Sequence, residues 1–149
     1  MKKTLLALIC LLAAASPLWA QKAGDFGAGV IVGNPTGGTV KYWLSDAHAL
    51  DAGLGVSTHF AAYADYLWHA WTILPQPAQG KLGLYFGAGG QVRTFHDPEF
   101  GVRAVVGAAY WLPRAPVEIF VEAVPVFRLS PETSVGLDGG LGARYYFKS

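Results

Sequence analysis

Residues 117–129 read Val117-Glu118-Ile119-Phe120-Val121-Glu122-Ala123-Val124-Pro125-Val126-Phe127-Arg128-Leu129. Val117, Ile119, Val121, Ala123, Pro125, Phe127 and Leu129 share one parity, and Glu118, Glu122 and Arg128 share the other. Successive side chains of a strand point to opposite faces, so as a strand this stretch is greasy on one side and charged on the other. Its length exceeds the roughly 9 to 11 residues that a tilted membrane strand needs. The pattern is that of a transmembrane barrel, apolar towards lipid and polar towards the lumen.

Turn chemistry extends this reading to eight strands, at 26–33, 39–44, 50–60, 62–74, 82–95, 100–112, 117–129 and 135–147. The breaks are Asn34-Pro35-Thr36-Gly37-Gly38, Ser45-Asp46, the region around Ala61, Pro75-Gln76-Pro77, His96-Asp97-Pro98, Pro113-Arg114-Ala115-Pro116 and Ser130-Pro131-Glu132. With the best parity taken for each run, the outward set contains no Asp, Glu, Lys, Arg, His, Asn, Gln or Ser, and its only polar members are Thr58, Thr72 and Thr94. The inward set holds Lys41, Asp51, Asp65, Arg93, Arg103, Glu118, Glu122, Arg128, Asp138 and Arg144, together with Ser57, His59, His69 and Gln91. Positive and negative inward charges balance. Most of the 19 glycines are inward as well, as expected where an eight-stranded barrel is only wide enough for its own side chains. Pro125 cannot donate to a ladder, so the register is expected to slip there, with a bulge that flips Phe127 and Arg128.

The fold class predicted is therefore all-β, a closed eight-stranded antiparallel up-and-down transmembrane barrel. An even strand number puts both termini on one side, expected to be the periplasm. Outward aromatics then fall at two levels, Phe26, Tyr42, Tyr110, Tyr145 and Phe147 near the terminal end and Phe60, Phe100 and Phe127 near the other, with Trp68 and Phe86 between them. Amphipathic rings favour the headgroup interface, so these read as two girdles.

Lys2 and Lys3, an apolar run over residues 5–15 and Ala20 before Gln21-Lys22 read as a signal peptide over residues 1–20, leaving a barrel domain at 21–149. The apolar run is too short to span a bilayer as a helix. Cys10 is the one cysteine of the chain and falls within the signal, so the mature protein is expected to carry no thiol, disulfide or lipid anchor. Without Lys2 and Lys3, nine basic residues stand against ten acidic ones, a balance that points away from nucleic acid. No later apolar stretch is long and uninterrupted enough for a transmembrane helix, so passage through a membrane requires strands closed without an edge.

The stretches Lys41-Tyr42-Trp43-Leu44-Ser45-Asp46, Ala49-Leu50-Asp51-Ala52-Gly53-Leu54-Gly55 and Ala64-Asp65-Tyr66-Leu67-Trp68-His69, with the ending Gly142-Ala143-Arg144-Tyr145-Tyr146-Phe147, resemble a bacterial family of small outer-membrane barrels of unknown function. In architecture the chain is similar to the OmpA and OmpX type. The resemblance implies a fold and a location in the cell outer membrane, but no reaction and no cofactor. It implies as partners the outer-membrane lipids and, during biogenesis, periplasmic chaperones and the barrel-assembly machinery. Members tend to end in an aromatic that this machinery reads; here Lys148 and Ser149 follow Phe147.

Three constellations could carry chemistry. Ser57, His59 and Asp65 form a Ser-His-acid set if a turn at 61–63 places Asp65 opposite His59, an arrangement suited to lipid deacylation. An inward cluster has no route for an acyl chain, which favours a plain hydrogen-bond role. A metal site from His59, His69 and Asp65 is disfavoured by spacing. The inward charges sort into a terminal-side layer (Lys41, Asp51, Glu118, Glu122, Arg144) and a far-side layer (Asp65, Arg93, Arg103, Arg128, Asp138). In the far-side layer, three arginines against two aspartates would suit a weak anion site. The expectation is a non-enzymatic, monomeric outer-membrane barrel with a structural or surface-interaction role, plugged by a salt-bridge network. A lipid-modifying enzyme and a narrow channel or small-ligand barrel are the alternatives. A soluble lipocalin-like binder would need the inverse pattern, with charges outside.

Overall fold

The computed structural model describes residues 22–56, 59–94, 98–130 and 132–147. The segment read as a signal peptide lies outside these residues, as does Ser57. Eight strands, β1 (Phe26–Asn34), β2 (Thr36–Trp43), β3 (His48–Val56), β4 (Phe60–Ala70), β5 (Lys81–Thr94), β6 (Glu99–Trp111), β7 (Val117–Ser130) and β8 (Ser134–Phe147), pair in sequence order and close on themselves. Every pair is antiparallel, and β1 meets β8 through Phe26↔Phe147 to Asn34↔Gly139. Closure leaves no strand edge to be satisfied by solvent.

Alternation separates the faces as the sequence implies. Outward-pointing Val30, Leu54, Phe60, Phe86, Val121, Leu137 and Leu141 are exposed, whereas Ile31, Tyr63, Leu67, Tyr85, Val105, Phe120 and Val126 are buried inside. Polar side chains sit in the interior beside these, so the barrel has no purely hydrocarbon core.

Several boundaries differ from the sequence reading. β2 starts at Thr36, because Gly37 continues the ladder opposite Gly55; a Cβ on Gly37 would strike the Leu54 carbonyl of β3. Gly37 is there for close strand approach, not for a turn. β3 ends at Val56, and β4 begins at Phe60, opposite it. The far-end connection is therefore at residues 57–59 and not at 61–63. β4 ends at Ala70, four residues early, because Trp71 folds over the terminal mouth and its Nε1 donates to the Asp46 carbonyl at 2.9 Å. Gln76 then ties the following loop together, donating to the Trp71 and Leu82 carbonyls and accepting from the Leu82 amide.

The expected slip at Pro125 does not occur. Pro125 stays opposite Leu137 on β8, Phe127 remains outward at 47% exposure and Val126 is fully buried. The irregularity lies four residues on, where Gly101 pairs with Arg128 but Phe100 pairs with Ser130, leaving Leu129 as the extra residue. Trp68 pairs with His48, the first residue of β3, and so belongs with the terminal-end aromatics and not between the two levels.

The connections are asymmetric. At the far end they comprise Pro35 alone and residues 57–59, 95–98 and 131–133. The longest connection, residues 71–80, lies at the end that holds both termini.

Candidate functional site: the charged interior

Inward parity brings the ten charged residues singled out in the sequence towards one axis, where the physical problem is to match every buried charge. At the terminal end the interior is capped by aromatic rings. Trp43, Trp71, Trp111 and His69 lie with centroids 4.3 Å (Trp43–His69), 5.2 Å (Trp71–Trp111) and 6.1 Å (Trp43–Trp71, Trp43–Trp111) apart. Lys41 stands on the inner side of this cap, its Nζ 4.8 Å from the Trp43 ring and 2.8 Å from His69 Nε2. An ammonium group can only donate, so Nε2 is the acceptor and His69 is neutral, its Nδ1 directed at the Ala47 carbonyl at 3.3 Å.

Glu118 is the next layer and the most heavily partnered group. Its Oε1 accepts from Arg144 Nη1 at 2.5 Å, and its Oε2 accepts from Lys41 Nζ at 3.2 Å and from the Tyr146 hydroxyl at 2.9 Å. Arg144 also donates to Asp51 Oδ2 at 3.1 Å and to the Thr39 hydroxyl at 2.9 Å, with its guanidinium 4.0 Å above the Phe120 ring. The pairing of Glu118 with Arg144 across β7 and β8 is a direct register pair.

In the middle of the barrel Arg103 lies 2.9 Å from Asp65 Oδ1 and 3.9 Å from Glu122 Oε1, and stacks 4.0 Å over Tyr63. The Tyr85 hydroxyl donates to Glu122 Oε2 at 2.7 Å. Towards the far end Arg93 pairs with Asp138, and Asn34 joins them, donating to Asp138 Oδ1 at 2.9 Å and accepting from Arg93 Nη2 at 3.3 Å. Arg128 reaches out to Glu99 at 3.8 Å, where both side chains are partly exposed.

The charges thus form a continuous column and not two layers, because Asp65 lies directly opposite Asp51 and Arg103 links it to Glu122. The excess of arginine expected at the far side is absent: Arg93, Arg103 and Arg128 each have a carboxylate partner. The Ser-His-acid set is not assembled. Asp65 faces Asp51, and it is five residues along β4 from Phe60, roughly 17 Å at about 3.3 Å per residue, while His59 lies beyond Phe60 at the far end. Ser57 falls outside the described residues. His69 packs in the terminal cap, at the opposite end of β4 from His59, so the proposed metal ligands are dispersed. Sequence reasoning missed Asn34 and Glu99, which it left in turns, and missed that Trp43, Trp71 and Trp111 converge. The signal for the cap was available, since Trp43, His69 and Trp111 all have inward parity near terminal-side strand ends.

The closed eight-strand order and the direction of every pairing identify the architecture. The fold is that of the N-terminal β-barrel domain of Pseudomonas aeruginosa OprF. The crystal structure of that domain matches with a TM-score of 0.59 over 85% of this chain and 100% of its own length, at 15% sequence identity. A likeness at that identity is one of fold, the OmpA-like barrel that the sequence resemblance implied. The sequence matches no protein-family model and no curated protein.

Proposed function

We propose that the chain is an integral outer-membrane β-barrel, exported by its N-terminal signal peptide, that acts as a monomer in a structural or surface-interaction role and has no enzymatic activity. The observation that carries this reading is the pairing of an outward face of exposed Val, Leu, Ile, Phe and Trp with an interior of buried ion pairs. Lipid as solvent requires the first, and a barrel too narrow for an aqueous channel accommodates the second. The aromatic cap and the Glu118–Arg144–Lys41 cluster obstruct the lumen, which favours a plug over a pore. The partners are accordingly outer-membrane lipids, with periplasmic chaperones and the assembly machinery acting before insertion.

Membrane fractionation followed by electrophoresis of boiled and unboiled samples tests the proposal. A band of heat-dependent mobility confined to the outer-membrane fraction is expected. Recovery in the soluble periplasmic fraction, with no mobility change on boiling, would overturn it.

A further inference from the structure

The sequence balances the inward charges, but the folded chain does not. Arg128 leaves the column to meet Glu99 at the far rim, and Lys81 stands at the terminal mouth with its Nζ 3.7 Å over the outer cap residue Trp71. Between these ends, among the described residues, four cations, Lys41, Arg93, Arg103 and Arg144, face five carboxylates, Asp51, Asp65, Glu118, Glu122 and Asp138. His69, accepting from Lys41, adds no charge. One negative charge is therefore surplus among carboxylates none of which is more than 7% exposed, a burden that a low-dielectric interior does not bear unrelieved.

The surplus can be located. Glu118 accepts from three donors and Asp138 from two, and Glu122 accepts from Tyr85. Asp51 and Asp65 are directly opposed across β3 and β4, both inward and only 3% exposed. Asp51 Oδ2 is taken by Arg144, but Asp51 Oδ1 and both oxygens of Asp65 accept no hydrogen bond; Arg103 Nε, 2.9 Å from Asp65 Oδ1, is not aligned to donate to it. Two carboxylates placed directly opposite each other on paired strands repel unless one carries a hydrogen. The charged and titratable groups around the pair are Lys41 from β2, opposite Asp51, Tyr63 from β4, Arg103 from β6, Glu122 from β7 and Arg144 from β8, with Tyr85 and Gln91 of β5 reaching Glu122 and Arg103 behind them. On β5, Gly89 lies opposite Asp65 so closely that a Cβ would strike the carboxylate. A water molecule could satisfy the oxygens but not the charge.

We infer that Asp51 and Asp65 are a proton-binding site, a carboxylic acid and a carboxylate sharing one proton, which neutralises the buried interior. The proton enters from water during folding and is retained; no bond other than O–H is made.

Infrared spectroscopy of the refolded protein in phospholipid vesicles at neutral pH tests this. The carbonyl stretch of a protonated carboxyl group is expected in the wild type, shifted in D2O, and lost in both Asp51→Asn and Asp65→Asn. Either amide leaves a single carboxylate at the pair, which then ionises against Arg103 or Arg144. Asp65→Asn, an isostere of the acid, is expected to keep the wild-type urea midpoint or raise it. Absence of the stretch in the wild type would overturn the inference, whether or not the variants refold. So would its persistence in both variants, which would put the proton on another residue. A wild-type urea midpoint that rises with sodium at fixed ionic strength, without the stretch, would assign the positive charge to a bound cation.

Discussion

Glu118 shows how much of this interior hangs on single groups. It neutralises Arg144 and Lys41 together and takes the Tyr146 hydroxyl, so Glu118→Ala leaves the buried Lys41 without its carboxylate and Arg144 with Asp51 alone. Breaking a buried pair from one side costs about 3 to 5 kcal/mol. Glu118→Ala with Arg144→Ala leaves Lys41 and Asp51, of opposite sign, and is expected to be less damaging than the single change. Urea titrations of the refolded proteins in a double-mutant cycle would read this as a coupling energy, and strictly additive losses would refute the pair. At the same scale, Ser57→Ala should leave lipid A unchanged, because the acid meant to orient His59 lies roughly 17 Å away along β4. Mass spectrometry of lipid A from strains carrying wild type, the variant or no copy would show it; a Ser57-dependent change in acyl number would favour an enzyme.

At the scale of the strand, β7 offers an internal control. Val121 is 54% exposed on the outward face, and Val124, 2% exposed, faces inward opposite Asp138. Val121→Arg should destabilise the barrel by about 2 to 4 kcal/mol, as charges do at the lipid midplane. Val124→Thr should cost about 1 kcal/mol, since polar neighbours can take the hydroxyl. Equal losses of folded protein would contradict the register. The closing seam gives a second test: at Gly29 an added Cβ would run into the Ala143 carbonyl of β8. Gly29→Val is expected to lower the urea midpoint by an amount equivalent to about 1 to 3 kcal/mol, whereas Val30→Ala, its outward neighbour, should be much milder.

Strands were legible where a short turn and a long alternating run fixed the register together. Glu118 opposite Arg144 follows from the β7–β8 turn alone. The β3–β4 hairpin was not legible, since Ser57-Thr58-His59 contains neither Gly nor Pro and alanines at 61 and 62 looked equally like a break. Gly37 and Gly38 were misread for the opposite reason, as glycine serves close approach as well as turning. Inward residues were named by parity, but who meets whom across a lumen depends on tilt and stagger, which no local pattern encodes. Hence Lys41 with His69, and Asn34 with Asp138, became visible only in the closed barrel.

The whole molecule is a column of interlocking charge with an aromatic floor. In planar bilayers the wild type should pass little or no current, while Glu118→Ala, with its cluster broken, should conduct more readily; large, stable wild-type channels would refute the plug. The loops also carry a consequence beyond permeation. With both termini in the periplasm, the ends of the hairpins that would meet the outside world are three or four residues long, or a single proline, and the ten-residue connection would look inward to the cell-wall side. A bacteriophage or antibody would find little to hold, and diversifying selection little to vary. The part of this barrel best able to touch another macromolecule is turned towards its own cell.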